Sequence, residues 1–223
     1  MENSLVNTFI FWQSLDLSSF GIAALLLTAL TLSSFIKIVT VLGLVRAGFG
    51  VDNFPAGLIV TLLALVLSYF VMIPVIDRSV AQSVTAWNSS ASLQPAERKA
   101  TAVAAGFEVW KEFAWQQSDQ DERNRFATLA EQLAKKKDFK ADRKSWQVLV
   151  PAFVLTELKS AFTTGLTIFL PFLVIDLLTA SILMGMGYTA LNSQIVALPL
   201  KILLFVLADG WTLIMTNLVG SYI

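Results

Sequence analysis

Charge in this chain is confined to one stretch. Residues 77 to 150 hold 12 of the 16 Lys and Arg and 10 of the 16 Asp and Glu, which leaves ten charges for everything else. On either side the sequence is almost continuously apolar. Two segments, roughly Phe20 to Val45 and Pro55 to Ile76, precede the charged stretch, and two more, Pro151 to Gly187 and Ile195 to Val219, follow it. About 20 apolar helical residues cross a hydrocarbon core, so each segment is long enough to span. This pattern predicts an all-α membrane-complex protein in which two long helical hairpins flank a small helical soluble insert. The expected divisions are an N-terminal segment 1–19, a first hairpin 20–76, an insert 77–150 and a second hairpin 151–223. A composition 56% hydrophobic and 14% charged agrees with a membrane protein better than with an average soluble domain.

Several kinds of chemistry are ruled out by residue type. The chain has no His and no Cys, which removes disulfides, thiolate chemistry and the usual zinc and histidine-base sites. Its acids and bases balance, and no basic surface interleaved with aromatics points to nucleic acid. No Gly-rich phosphate loop ending in Lys-Ser or Lys-Thr is present, so energy for any transport is expected from elsewhere. No metal or cofactor is expected, and the protein is not expected to be an enzyme. Met1 to Leu17 carries Glu2 and Asp16 and lacks the basic start, apolar run and small-residue site of a secretory signal, so it is expected to persist in the mature protein. Phe9, Ile10, Phe11 and Trp12 either pack locally or sit at a membrane interface.

The insert has helical periodicity. After Pro95, the apolar positions Val103, Phe107, Trp110 and Ala114 recur at spacings of four, three and four within 96–115. A second helix is predicted over 121–133, with Phe126, Leu129 and Leu133 on one face. Lys135, Lys136 and Lys137 are followed at once by Asp138 and Asp142, a solvated charged face rather than a lipid-binding patch. The insert is too long for the positive-inside rule to orient it.

The richest segment runs from Pro151 to Gly187. Thr156, Ser160, Thr163, Thr164 and Thr167 form one strip of small hydroxyl side chains, which either packs closely on neighbouring helices or lines an aqueous path. Pro171 removes a backbone hydrogen bond and is expected to bend or break the helix. Asp176 follows five residues later, and an ionised carboxylate facing lipid is costly, so it should meet a cation, a backbone donor or water. Lys37, Lys159 and Lys201 are candidate cations, and Glu157 and Asp209 are further acids in apolar surroundings. Two membrane-embedded aspartates also raise an intramembrane protease or a proton relay as alternatives. Gly185, Gly187, Asn192 and Ser193 mark a turn. The unbranched side chains of Met184 and Met186 beside it could close a pore compliantly or simply fill a core.

Five stretches carry a family resemblance: SFIKIVTVLGLVR at 34–46, LIVTLLALVLSYFVMIPV from Leu58, PAFVLTELKSAF at 151–162, FLPFLVIDLLTASILMGMG at 169–187 and VALPLKILLFVLADGW at 196–211. They resemble, in order, the FliP/SctR family of type III secretion export gates. Glu157, Lys159, Pro171, Asp176, Pro199, Lys201, Asp209 and Trp211 fall at matching places. The resemblance implies a core export-apparatus subunit that forms a homo-oligomer, a pentamer in the family, and assembles with Q-, R or T-, and S-type subunits. It implies unfolded secreted proteins as substrates, contact with membrane lipids, and a bacterial inner-membrane location with the complex and its insert raised toward the periplasm. It also places a gate at the tips of the second hairpins. The family usually has a run of methionines after the glycine, where this chain has Tyr188, Thr189 and Ala190, so the expected constriction is built from Met184, Met186, Tyr188 and Leu191. The apparent lack of a leader favours an injectisome over a flagellar role. The alternative function is a self-contained secondary transporter or proton-relay protein.

Overall fold

A computed structural model describes residues 28–50, 57–137, 142, 144–188 and 190–222. The N-terminal segment 1–19 with Phe9–Trp12, the side chains of Lys135–Lys137, Asp138 and Thr189 lie outside the described residues. Among the described residues, from Phe35 onward, seven helices follow one another: α1 (Phe35–Phe49), α2 (Gly57–Ser89), α3 (Pro95–Gln117), α4 (Gln120–Lys137), α5 (Trp146–Gly185), α6 (Ser193–Leu207) and α7 (Gly210–Gly220). Among the described residues there are no strands, and the all-α membrane class expected from the sequence holds.

The first apolar segment is not one helix. Residues 28–31 are helical, the chain turns at Leu32–Ser34, and α1 then covers 15 residues. At 1.5 Å per residue α1 is about 22 Å long, short of a hydrocarbon core of about 30 Å. Serines satisfy the break: Ser33 Oγ donates to Leu30 O at 2.8 Å, and Ser34 Oγ donates across to Ser68 Oγ of α2 at 3.2 Å. Gly50, with φ 74°, ends α1 in the left-handed region that favours glycine.

Among the described residues two helices are long and apolar enough to cross a membrane by themselves, α2 with 33 residues and α5 with 40. Each runs through a change in the sequence pattern. α2 continues across residue 77 into the charged stretch, and α5 begins before Pro151 and stays helical through Pro171. Of the two outcomes expected at Pro171, bending or breaking, the break does not occur. One proline removes a single backbone bond, and α1 packs on α5 to both sides of it: Gly165 abuts Leu44, and Phe172 abuts Gly48 and Phe49.

The fourth apolar segment does break. α6 and α7 meet at an angle of 61° across Ala208 and Asp209. Asp209 adopts φ 49°, ψ 50°, a conformation that Asp tolerates better than most residues. Gly210 is needed beside it, because a Cβ there would lie 2.3 Å from the Phe205 ring.

The two hairpins are interleaved rather than separate. α1 packs chiefly against α5, and also against α2 and α6, so it lies at the centre of the apolar half. Its buried face, Ile38, Val41, Leu42, Val45 and Phe49, forms a core with Ala64, Ala161, Phe172, Phe205, Ile214 and Leu218. A second core joins Leu32, Met72, Phe113, Ala114, Leu149 and Phe153, linking the insert to α5.

In the insert, α3 folds back on α2 and α4 lies on α5. The helices fall where periodicity places them, but their buried faces differ from the expected ones. Ala102, Gly106, Val109 and Phe113 turn inward with Ala114, while Val103 is exposed. On α4 the buried positions are Glu122, Ala127 and Ala130, while Leu129 and Leu133 are exposed. Close approach explains the shift. Ser79 Oγ donates to Gly106 O at 3.1 Å, and a Cβ on Gly106 would lie 2.4 Å from Ser83 Oγ, so small residues, not large ones, mark the contact.

The α1–α5 contact gives a direct test. A Cβ at Gly165 would lie 2.4 Å from Leu44 Cδ1 and 3.1 Å from Leu44 Cβ, whereas Gly43 has open space. Gly165→Leu is expected to destabilise the fold by about 1–3 kcal/mol, read as a lower thermal midpoint of the purified protein. Gly43→Leu should leave the midpoint unchanged or higher; equal losses from both would contradict the packing.

Candidate functional site

The α5–α6 connection is a tight, capped tip. Met186 N–H donates to Ile182 O at 3.0 Å, Gly187 N–H to Met184 O at 3.0 Å and Tyr188 N–H to Leu183 O at 2.9 Å. Gly187 carries φ 82°, so the αL cap depends on a residue without a side chain. Asn192 opens α6, its side chain accepting from Gln194 N–H at 3.0 Å. The tip holds Met184, Met186, Tyr188 and Leu191, each more than half exposed. None of the four fills the core of this chain, and all four are free to meet something outside it.

The buried charges resolve into three sites. Lys201 on α6 is fully buried. Its Nζ donates to Gly48 O at 2.8 Å and Phe49 O at 3.3 Å, carbonyls at the α1 C-terminus, where a cation is favoured. Asp176 on α5 straddles the same ammonium. Its Oδ2 accepts at 2.7 Å with hydrogen-bond geometry, and its Oδ1 makes a Coulombic contact at 2.6 Å. The aspartate side chain keeps 29% of its surface exposed on the single chain, whereas the lysine keeps none, so one partner faces the surroundings of the chain and the other does not.

The second site pairs Lys37 of α1 with Glu157 of α5, both nearly inaccessible, with Nζ 3.9 Å from Oε1. The spacing is long for a hydrogen bond, and other groups complete the pair. Lys37 Nζ donates to Ser221 Oγ at 2.8 Å, and Tyr222 OH donates to Glu157 Oε2. The Tyr222 ring lies 4.6 Å from Nζ, within cation–π range. Burial, and then the adjacent Glu157 carboxylate, push the Tyr222 hydroxyl well above its ordinary pKa, so it stays protonated as a donor.

The third site ties the insert to α5. Lys159 Nζ donates to Glu122 Oε1, and Arg125 Nη1 lies 3.6 Å from the same oxygen. Glu122 is buried, whereas Lys159 is about half exposed. On the single chain Lys159 is thus partly exposed although its ammonium meets a buried carboxylate, and Asp209 is exposed at the α6–α7 bend. Asp176 is engaged by Lys201, and among the described residues no hydrogen bond joins it to Asp209, so no shared-proton aspartate pair is formed.

The hydroxyl strip is largely occupied by its own helix. Thr163 Oγ1 donates to Lys159 O at 3.0 Å and Thr167 Oγ1 to Thr163 O at 2.8 Å. Thr156 Oγ1 donates to Ala152 O at 2.8 Å and accepts Asp119 N–H, just before α4, at 2.9 Å. Thr163, Thr164 and Thr167 also line a groove of about 340 Å³ with Phe172, Leu213 and Asn217.

Sequence reasoning missed Glu122, Ser221 and Tyr222. Glu122 lies in a charged stretch and gives no signal by itself. Tyr222 is a phenol beyond the last apolar helix, where its reach to residue 157 cannot be read from spacing.

The fold and these sites define a class: an all-α membrane protein whose apolar helices are joined by buried ion pairs and end in an exposed methionine-bearing tip. Residues 17–218 match the FliP family. The hypersensitivity response secretion protein HrcR of Ralstonia nicotianae is 36% identical over 214 residues, covering 95% of this chain and 97% of that protein. The flagellar biosynthetic protein FliP of Cereibacter sphaeroides is 36% identical over 206 residues, 88% of this chain and 65% of its own length. The probable translocation protein y4yL of Sinorhizobium fredii is 33% identical over 205 residues, 91% of this chain and 90% of that protein. The chain belongs to the FliP family, and so to the components of the type III secretion export apparatus.

The unequal burial of Lys201 and Asp176 sets an order of mutational cost. Asp176→Ala leaves a fully buried ammonium without its counter-ion and is expected to cost about 3–5 kcal/mol. Lys201→Met leaves a carboxylate that is only partly buried and two carbonyls short of a donor, about 1–3 kcal/mol. Thermal melts of the purified protein check the order, and a reversed ranking would sink the argument.

Proposed function

We propose that this chain is a ring-forming, non-enzymatic subunit of the export gate, and that its α5–α6 tip closes a protein-conducting channel for unfolded substrates. The observation that carries the proposal is the tip: Met184, Met186, Tyr188 and Leu191 are all exposed on one short, rigidly capped turn. Arranged around an axis in several copies, flexible thioethers and a phenol can fill a narrow opening and yield to a passing polypeptide. Five copies, as the family resemblance implies, would supply twenty such side chains.

The environment of the helices supports an assembly. In the most apolar 18-residue windows only 28% of α2 and 17% of α5 is buried within the chain. The rest of those surfaces needs lipid or other subunits. Q-, R or T-, and S-type relatives and further copies of this chain are the proposed partners, with lipid at the outer faces. In this arrangement the chain sits in the inner membrane and the insert, α3 and α4, lies on the periplasmic side. The injectisome is the proposed branch.

If the tip seals the channel, Met184→Ala combined with Met186→Ala should increase leakage of a small dye or ion through assembled complexes by severalfold while leaving assembly intact. Leakage equal to that of the parent in fully assembled complexes would remove the tip from the gate. Solute transport by a purified single copy would favour the transporter alternative.

A further inference from the structure

α6 and α7 hold α1 at two points. Lys201 on α6 engages Gly48 and Phe49 at one end of α1, and Ser221, just after α7, engages Lys37 near the other. Those points on α1 are eleven residues apart, about 16 Å, whereas a straight helix from 201 to 221 would extend about 30 Å. The 61° bend at Ala208–Asp209 is what lets one short segment reach both. Between the anchors Phe205 packs on Phe49, Phe172 and Trp211, with ring centroids 5.6, 6.3 and 5.3 Å away.

The two anchors differ in kind. The Lys201 anchor is fully buried and makes several contacts. The anchor beyond α7 is a single turn, and Tyr222 is its centre: its hydroxyl donates to Glu157, its face meets the Lys37 ammonium, and its ring stacks on Phe113 of α3 at 6.2 Å and 20°. One residue thus touches α1, α5 and the insert. α7 itself contributes two fully buried side chains, Ile214 and Leu218, to the α1 core, and these stay dry only while the turn is docked.

We propose that α6 and α7 form a clasp over α1, hinged at Asp209–Gly210, and that Tyr222 is the catch that holds its α7 arm closed. At the hinge the helical ladder is interrupted, Asp209 N–H turning back to Val206 O at 3.1 Å, and the catch is, with the Lys37–Ser221 bond, one of the polar contacts that the turn after α7 must break to leave. Release would expose Leu218 and Ile214 and take Ser221 and Tyr222 away from the Lys37–Glu157 pair, without disturbing the Lys201 anchor. The inference concerns the mobility of this chain and stands whether or not the tip seals a channel.

The absence of cysteine makes the test direct. In the assembled complex, Leu218→Cys is labelled with a water-soluble maleimide in the parent background and with Tyr222→Phe, which keeps the ring on Phe113 and removes the hydroxyl. Loss of one hydrogen bond to a charged acceptor should raise the labelling rate about tenfold or more. Glu157→Gln should raise it similarly, and combining the two should add less than their product, because both remove the same contact. Ala127→Cys, buried in the insert, reports global loosening and should stay unlabelled in every background. The proposal is overturned if Tyr222→Phe labels within twofold of the parent, if the two effects multiply independently, or if Ala127→Cys becomes reactive along with Leu218→Cys.

Discussion

A lysine with no exposed surface must find inside the protein everything that water would have given it, and Lys201 is in that position. Two carbonyls at the end of α1 and both oxygens of Asp176 surround its ammonium. The cost of burying an ion is met only when geometry and hydrogen bonding are complete, so three helices are fixed relative to one another by one side chain. α1 is where the constraint matters most. At 15 residues it cannot span a bilayer by itself, and its terminal carbonyls lack helical partners. Lys201 turns that weakness into a joint with α6, and Gly50 clears the space, since a Cβ there would lie 3.2 Å from Nζ.

The same logic explains why charges persist in an apolar chain. Each joins two different helices: Lys37 to Glu157 joins α1 to α5, and Lys159 to Glu122 joins α5 to α4. Apolar packing between membrane helices is weakly specific, because lipid competes with it on nearly equal terms. A buried pair that is satisfied in one arrangement and unsatisfied in others adds discrimination. In this chain the pairs fix the register of α1 along α5, with Lys37 near one end and the Lys201 joint at the other.

Much of the architecture is legible in the sequence. Periodicity locates α3 and α4, Pro95 marks the start of α3 at N1, and the glycine-flanked methionines mark a turn. What misleads is the assumption that large apolar residues point inward. Val103, Leu129 and Leu133 face out, and Gly106, Ala102, Ala127 and Ala130 make the contacts, because close helix approach selects for lack of volume and not for hydrophobicity. Hydropathy also treats Ile195–Val219 as one span. The Asp209–Gly210 dipeptide is a turn signal that outweighs the apolar residues around it. Pro171 shows the converse: its local chemistry allows a break, yet the helix continues through it with α1 packed on both sides.

Partners of the charged residues were the least legible part, and the reason is physical. Lys37, Lys159 and Lys201 are equivalent as isolated cations in apolar sequence, yet they end in different environments: one in a pair completed by Ser221 and Tyr222, one half exposed on a buried glutamate, one wholly enclosed. Their difference lies in what helix ends and hydroxyls the fold brings near, which no spacing within a helix encodes. It follows that substituting any one of these lysines probes a different joint: the α7 turn for Lys37, the insert for Lys159, and the end of α1 for Lys201.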